Sequence, residues 1–148
     1  MRKGLLILAA VLVMVLGMSL TAWAQDGSGI LGKWLTQEGK ATVEIYKSGN
    51  TFSGKMIALK EPKNPDGTEK LDTKNPDEAK RTRPLIGMNI MSGLVFKGDN
   101  LFEDGAIYAP DSGKTYKLKA TLKGDTLDLR GFVGISLIGR TQTWTRVK

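Results

Sequence analysis

The chain has 148 residues, with 22 lysines and arginines against 15 acids and a formal charge of +7. It contains no histidine and no cysteine, which removes the usual zinc sites, thiol nucleophiles and Ser-His catalysis. Its glycines are scattered through turns rather than set between a strand and a long helix, so there is no phosphate-binding loop.

Met1-Arg2-Lys3 is a short basic region, residues 4–20 are an apolar run, and Ala22-Trp23-Ala24 is a small-x-small site. That order is the pattern of a secretory signal peptide, residues 1–24, cleaved after Ala24. The competing reading is a retained membrane anchor. The run is near the lower length limit for a span, and the cleavage site favours removal. Without cysteine there is no lipobox. The expected product is periplasmic or secreted, with no integral membrane span after cleavage.

Removing 24 residues from 148 leaves 124, residues 25–148, a single domain with one core. Loss of Arg2 and Lys3 lowers the charge from +7 to +5. With no disulfides, stability must come from burial and sheet pairing. The lysines are spread over strand faces and loops, with no basic run interleaved with aromatics. The charge therefore reads as solubility, with weak attraction to anionic lipid or polysaccharide as a side effect, and not as nucleic-acid binding.

Residues 26–30 form a polar lead-in to Gly32-Lys33-Trp34, and Trp34 is expected to be the first large core residue. Ala41, Val43 and Ile45 alternate with Thr42, Glu44 and Tyr46, the period of a half-buried strand. Lys47-Ser48-Gly49-Asn50 turns the chain into a second strand, residues 51–59, which completes a hairpin.

Residues 60–83 differ. Thirteen of these 24 residues are charged, three are proline, and the other apolar side chains are Leu71 and Ala79. Such a segment cannot bury an apolar face, so it is expected to be a long surface loop, of the kind that is functional or mobile. Asn75-Pro76-Asp77-Glu78 has the cap, the first-turn proline and the acids of a short helix running to about Arg81.

Strand character returns over residues 85–96, with a bend at Ser92-Gly93. Turns at 97–100, 110–113 and 123–125 separate the strands that follow. Tyr116, Leu118, Ala120 and Leu122 alternate cleanly with Lys117, Lys119, Thr121 and Lys123. About eight to ten short strands linked by tight turns imply an all-β, antiparallel up-and-down barrel, because closure removes sticky sheet edges. A sandwich is the alternative, and the glycines between 131 and 139 favour the sharply coiled strands of a barrel.

Residues 127–146 are apolar enough for core and β-branched enough for strand. Arg140, Gln142 and Trp144 fall on alternate positions and share one face. If Trp144 points inward, so does Arg140, which then needs an internal acid, an aromatic ring or an anionic ligand. Arg130, Tyr108 and Tyr116 complete the candidate ligand-binding set, with rim packing as the bland reading for the tyrosines.

Other chemistries are weaker. Glu103 and Asp104 are adjacent and are expected on opposite strand faces, where they could not share a substrate. Asp66, Glu69, Asp72, Asn75, Asp77 and Glu78 offer oxygens to calcium, but their spacing does not match the twelve-residue calcium loop. The residues imply no metal and no cofactor.

Several motifs occur together: Gly32-x-Trp34; Asp72-x-x-Asn75; Arg83-Pro84-Leu85-Ile86-Gly87; Gly105-x-Ile107-Tyr108-x-Pro110; Gly113-Lys114-x-Tyr116; residues 129–134; and Gly139-Arg140-Thr141-Gln142-x-Trp144. As a set they resemble the exported bacterial proteins grouped as Domain of Unknown Function 2147, over nearly all of residues 25–148. The resemblance implies a calycin-type, lipocalin-like barrel rather than a mechanism. It implies that an arginine near the last strand, Arg140 or Arg146, lies over Trp34, with Trp144 in the same closure. It also marks Asp72, Asn75 and Arg83 as a loop motif. One departure is Phe102, where the resemblance leads one to expect tryptophan before Gly105.

The leading expectation is a non-enzymatic barrel binding a small apolar or amphipathic molecule. Arg140 and Gln142 would hold its polar head, and Val43, Ile107, Leu118 and Leu129 would line the cavity. The alternative is a filled barrel that docks an envelope protein partner through loop 60–83. A carboxylate-based hydrolase is a weak third, requiring two inward carboxylates on one cleft.

Overall fold

Alternating burial along successive strands builds one closed sheet. A computed structural model describes residues 26–148, so the expected signal peptide lies outside the described residues. Eight strands follow in order: β1 (Gly32–Leu35), β2 (Ala41–Ser48), β3 (Thr51–Leu59), β4 (Asn89–Gly98), β5 (Leu101–Ala109), β6 (Lys114–Lys123), β7 (Thr126–Phe132) and β8 (Gly139–Arg146). Each pairs antiparallel with the next, and β8 returns to β1. The expected barrel is therefore present, at the lower end of the expected strand count.

The inward positions are apolar: Trp34, Val43, Ile45, Phe52, Leu94, Phe102, Leu118, Leu127, Leu129 and Trp144 are all buried. Phe102 takes the place of the expected tryptophan and meets Phe52 edge-on at 5.6 Å and Phe96 at 5.2 Å. Such aromatic pairs add about 0.5–1.5 kcal/mol beyond area burial.

The up-and-down order gives the barrel two distinct ends. The tight turns β2–β3, β4–β5 and β6–β7 share one end. There a 3₁₀ turn, Ser28–Ile30, closes the bore. Ile30 is fully buried, and the Trp34 indole N–H donates to its carbonyl at 2.9 Å. The other end, the mouth, carries the connections 36–40, 60–88, 110–113 and 133–138.

Four local expectations need correction. Residues 85–88 do not start a strand. They end the long loop, tied to β3 by bonds from Met56 N to Met88 O and from Gly87 N to Met56 O. The short helix is a single 3₁₀ turn, Glu78–Lys80, capped by Asp77 rather than Asn75. Asn75 instead closes an Asx turn by accepting from Asp77 N at 2.8 Å.

The third correction concerns Glu103 and Asp104. Phe102 pairs with Ala120 and Gly105 with Leu118, so both acids oppose Lys119 alone in a β-bulge. Asp104 adopts φ 66°. Glu103 meets Lys119 at 3.7 Å and Asp104 meets Lys97 at 3.0 Å. The bulge thus turns both carboxylates toward partially exposed lysines instead of onto opposite faces.

The fourth concerns residues 133–138. They are not core strand: Val133, Ile135, Leu137 and Ile138 are exposed on the β7–β8 connection. No helix among the described residues is long and apolar enough to cross a membrane.

Candidate functional site

The charged loop is built around a buried carboxylate. Its backbone folds on itself through the bridges Lys63↔Glu69 and Leu71↔Pro84. Asp72 is 1% exposed. Its Oδ2 accepts from Asn75 Nδ2 at 2.7 Å and Arg83 Nη2 at 3.0 Å, and its Oδ1 accepts from Tyr108 Oη at 2.6 Å. The loop motif Asp72, Asn75 and Arg83 is thus assembled, and β5 contributes a fourth member, Tyr108.

Burial raises the carboxyl pKa of Asp72, but bonds from Tyr108, Asn75 and Arg83, with the Arg83 charge, outweigh it and hold the group below its ordinary value. Tyr108 moves oppositely: burial, then its bond to Asp72 and that charge, push the phenol up to about 12. The partners of Asp72 are all donors, which suits a neutralised anchor and not a calcium ligand. No group of three or more acids, histidines or cysteines arranged to hold a metal occurs among the described residues.

The cluster clamps the loop to the barrel. Lys74 Nζ donates to Asp111 O at 2.7 Å, and the Lys74 carbonyl lies against Gly113. Tyr108 is therefore committed to the loop, and not free for a ligand as expected.

Arg130 is also committed elsewhere. It pairs with Lys119 and Thr141, beside the inward positions Leu129 and Gly131, and so lies on the outer face. Its Nε donates to Ser136 O at 2.5 Å, Nη2 to Leu137 O at 3.2 Å, and Nη1 to Thr141 Oγ1 at 2.9 Å. It braces the β7–β8 connection, which removes it from the ligand-binding set.

The choice between Arg140 and Arg146 is resolved in favour of Arg146. Its guanidinium carbon lies 4.3 Å from the Trp34 ring centre. Nη1 donates to Leu31 O at 3.0 Å and Nη2 to Gly29 O at 2.6 Å, and Nε lies 3.4 Å from Asp125. Trp144 is buried beside it in the sheet, opposite Leu127.

Arg140 and Gln142 remain. They pair with Gly131 and Leu129, on the same row as Trp144 opposite Leu127, so all three share the inward side. Arg140 is nevertheless exposed, not buried as the alternation implied. Two features explain this: Gly131 has no side chain to cover it, and β1 pairs with β8 only at Trp34↔Arg146 and Leu35↔Thr145. Above that point β8 is met by a side chain, since Gln37 Oε1 accepts from Thr143 N at 2.9 Å. Gln142 Oε1 accepts from the Trp144 indole at 3.2 Å. Tyr116 pairs with Ile107 on the inner row, half-buried, and lies beside Gly131. Arg140, Gln142 and Tyr116 therefore converge on the mouth.

Below them the bore is filled. Val43, Leu118 and Leu129, expected to line a cavity, pack against the other core side chains, and only Ile107 stays partly open. Two open clefts lie against the barrel wall. One, of about 130 Å³, is bounded by residues such as Asn89, Ser92, Tyr108 and Thr115. The other, of about 370 Å³, lies between Asp104, Lys117, Lys119 and Phe132.

A closed eight-strand antiparallel barrel, capped at one end and sealed by an arginine over the first-strand tryptophan, defines a lipocalin-like protein. The family profile described as an uncharacterized protein conserved in bacteria, DUF2147, matches residues 32–146, and the chain belongs to that family. The structure is similar to that of protein HP1028 from Helicobacter pylori, described as belonging to the lipocalin family. The TM-score is 0.70 and the identity 25%, over 80% of this chain and 83% of that one. No curated protein matches the chain.

Proposed function

We propose that the protein is an exported, non-enzymatic binding barrel that takes a small apolar or amphipathic molecule at its mouth. One observation carries this reading: Arg140 and Gln142 stand on the inward row, yet Arg140 is exposed and has no acidic partner among the described residues. An unpaired guanidinium at the rim of an apolar bore suits an anionic head group. Tyr116 and Ile107 offer an amphipathic wall beside it. The packed bore confines the tail to the upper part of the barrel, so a short or folded-back chain is favoured over one that threads the length of the protein.

Calorimetric titration with dodecanoate and with dodecanol tests this. The wild type binds dodecanoate, and Arg140→Glu weakens it at least several-fold while leaving dodecanol less affected. Absence of any binding, together with no molecule extracted from the purified protein by mass spectrometry, rejects the reading.

The filled bore also favours a second reading, in which the barrel is a protein-interaction module of the cell envelope presenting loop 60–83. The Asp72 clamp holds this loop in one shape with its charges outward. Charge reversal at exposed Lys63 and Lys80 should then abolish capture of an envelope protein without lowering stability. The hydrolase reading finds no support. Asp72 is the one fully buried carboxylate among the described residues and is engaged by three donors, while Glu103 and Asp104 face lysines.

A further inference from the structure

The β7–β8 connection presents four large apolar side chains to water within six residues. Val133 is 68% exposed, Ile135 58%, Leu137 85% and Ile138 70%. Isolated exposed apolar residues are ordinary, but four in one loop form a patch that marks an interaction surface. This patch is held outward rather than left to collapse. Arg130 ties the backbone carbonyls of Ser136 and Leu137 to the outer face of the barrel, so the polar backbone groups are satisfied from behind.

The charges around the patch are uneven. Arg130, Arg140 and Lys117 stand at the loop's stem: Phe132, the last residue of β7, pairs with Lys117 on one side and Gly139 on the other. None of the three is within ion-pair distance of an acid among the described residues. Toward the closed end four cations are paired with acids. Lys97 meets Asp104 at 3.0 Å, Lys123 meets Asp128 at 2.8 Å, and Arg146 and Lys148 both lie 3.4 Å from Asp125. Residues 25–148 as a whole carry +5. Arg130, Arg140 and Lys117 therefore place unpaired positive charge directly beside the apolar loop.

We infer that residues 133–138 dock the barrel, mouth first, on an anionic phospholipid bilayer. Apolar side chains at the tip with cations one strand-width behind match the layering of a bilayer surface, with acyl chains below and anionic head groups above. A protein partner would need shape complementarity over a broader surface than a six-residue tip offers. The inference does not depend on the mouth holding a ligand. Docking would nevertheless place the mouth against the membrane.

Co-sedimentation with vesicles of phosphatidylcholine alone, and of phosphatidylcholine with phosphatidylglycerol, tests it. The protein partitions onto the anionic vesicles, and raising the salt weakens this several-fold by screening. Leu137→Ser with Ile138→Ser lowers partitioning at least about tenfold, and Lys117→Glu lowers it on anionic vesicles only. Both side chains of the double variant are exposed, so its thermal unfolding should match the wild type. Ile135→Trp gives a direct readout. In protein lacking residues 1–24, and with them Trp23, the native tryptophans Trp34 and Trp144 are buried, so a blue shift on adding anionic vesicles reports insertion of the loop. Equal partitioning onto neutral vesicles, full binding by the double variant, or an unshifted emission spectrum of the Ile135→Trp variant overturns the inference. So does a lipid-free dimer that the double variant abolishes, since the patch would then belong to a second copy.

Discussion

The guanidinium of Arg146, on the last strand, lies 4.3 Å from the ring centre of Trp34, on the first, and donates to two carbonyls that lead into that strand. The two residues are also register partners across the β1–β8 seam. That seam is short, with two paired positions, so side-chain contacts must supply what backbone pairing does not. Lysine cannot reproduce a flat group bonded to two carbonyls. Arg146→Lys should destabilise the barrel by about 1–3 kcal/mol in urea unfolding, and Arg146→Ala by no less. A neutral result for both would mean that the seam is held by the sheet alone.

The loop clamp has a different signature. Asp72→Asn keeps the shape but places an amide where three donors converge, so at least one of Asn75, Arg83 and Tyr108 loses its acceptor. The cost should be about 2–4 kcal/mol, toward the lower end because Arg83 is partly solvated. Amide exchange should rise first within residues 70–84, with β6 and β7 still protected. Uniform loosening of the whole barrel would instead make the loop part of the global folding unit.

Much of this architecture is legible in the chain because strands announce themselves by period two. β2 and β6 follow the alternation of residues 41–46 and 116–123, and the turn residues divide the rest. The Asp72 cluster is legible in part. Its three loop members stand out as a motif, but Tyr108 comes from another strand, and no local pattern reports a contact across 36 positions. The exposure of Arg140 escapes the sequence for a related reason. Alternation fixes which side a residue faces, but its burial depends on where β1 stops and on the missing side chain of Gly131. The 133–138 loop is ambiguous because an apolar, β-branched run suits both buried strand and exposed tip, and composition alone does not separate them.

Stability should depend on pH at both extremes through the same cluster. The folded pKa of Asp72 is depressed, so its contribution is present above the unfolded value of about 3.9 and is lost as pH falls through the lower folded value. Asp128 shifts in the same direction, through its bonds from Lys123 and Thr143, so Asp72→Asn should remove only part of the acid sensitivity. Tyr108 is raised to about 12. Its contribution is complete below the unfolded value of about 10 and is lost as pH rises through the folded one. The stability gap between wild type and Tyr108→Phe, measured by urea unfolding, should therefore be flat from neutral pH to about 9 and close between about 10 and 12. A gap that stays constant through that range would show that the phenol is not bonded to an ionised Asp72.

The loop is seated on the β5–β6 turn at Gly113, which can be tested apart from the carboxylate. Gly113 has φ 71°, and a Cβ there would overlap the Lys74 carbonyl. Gly113→Ala therefore incurs two penalties, left-handed backbone strain of about 1–2 kcal/mol and displacement of the loop from its seat. Gly124, in the β6–β7 turn, has φ 62° with nothing within 4 Å of an added methyl, so Gly124→Ala incurs the first penalty alone. The difference between the two variants isolates the seat and should be at least about 1 kcal/mol. It should be accompanied by faster exchange at residues 70–84 in Gly113→Ala only. Equal destabilisation with no change in loop exchange would mean that the loop is held by the Asp72 bonds without support from the turn.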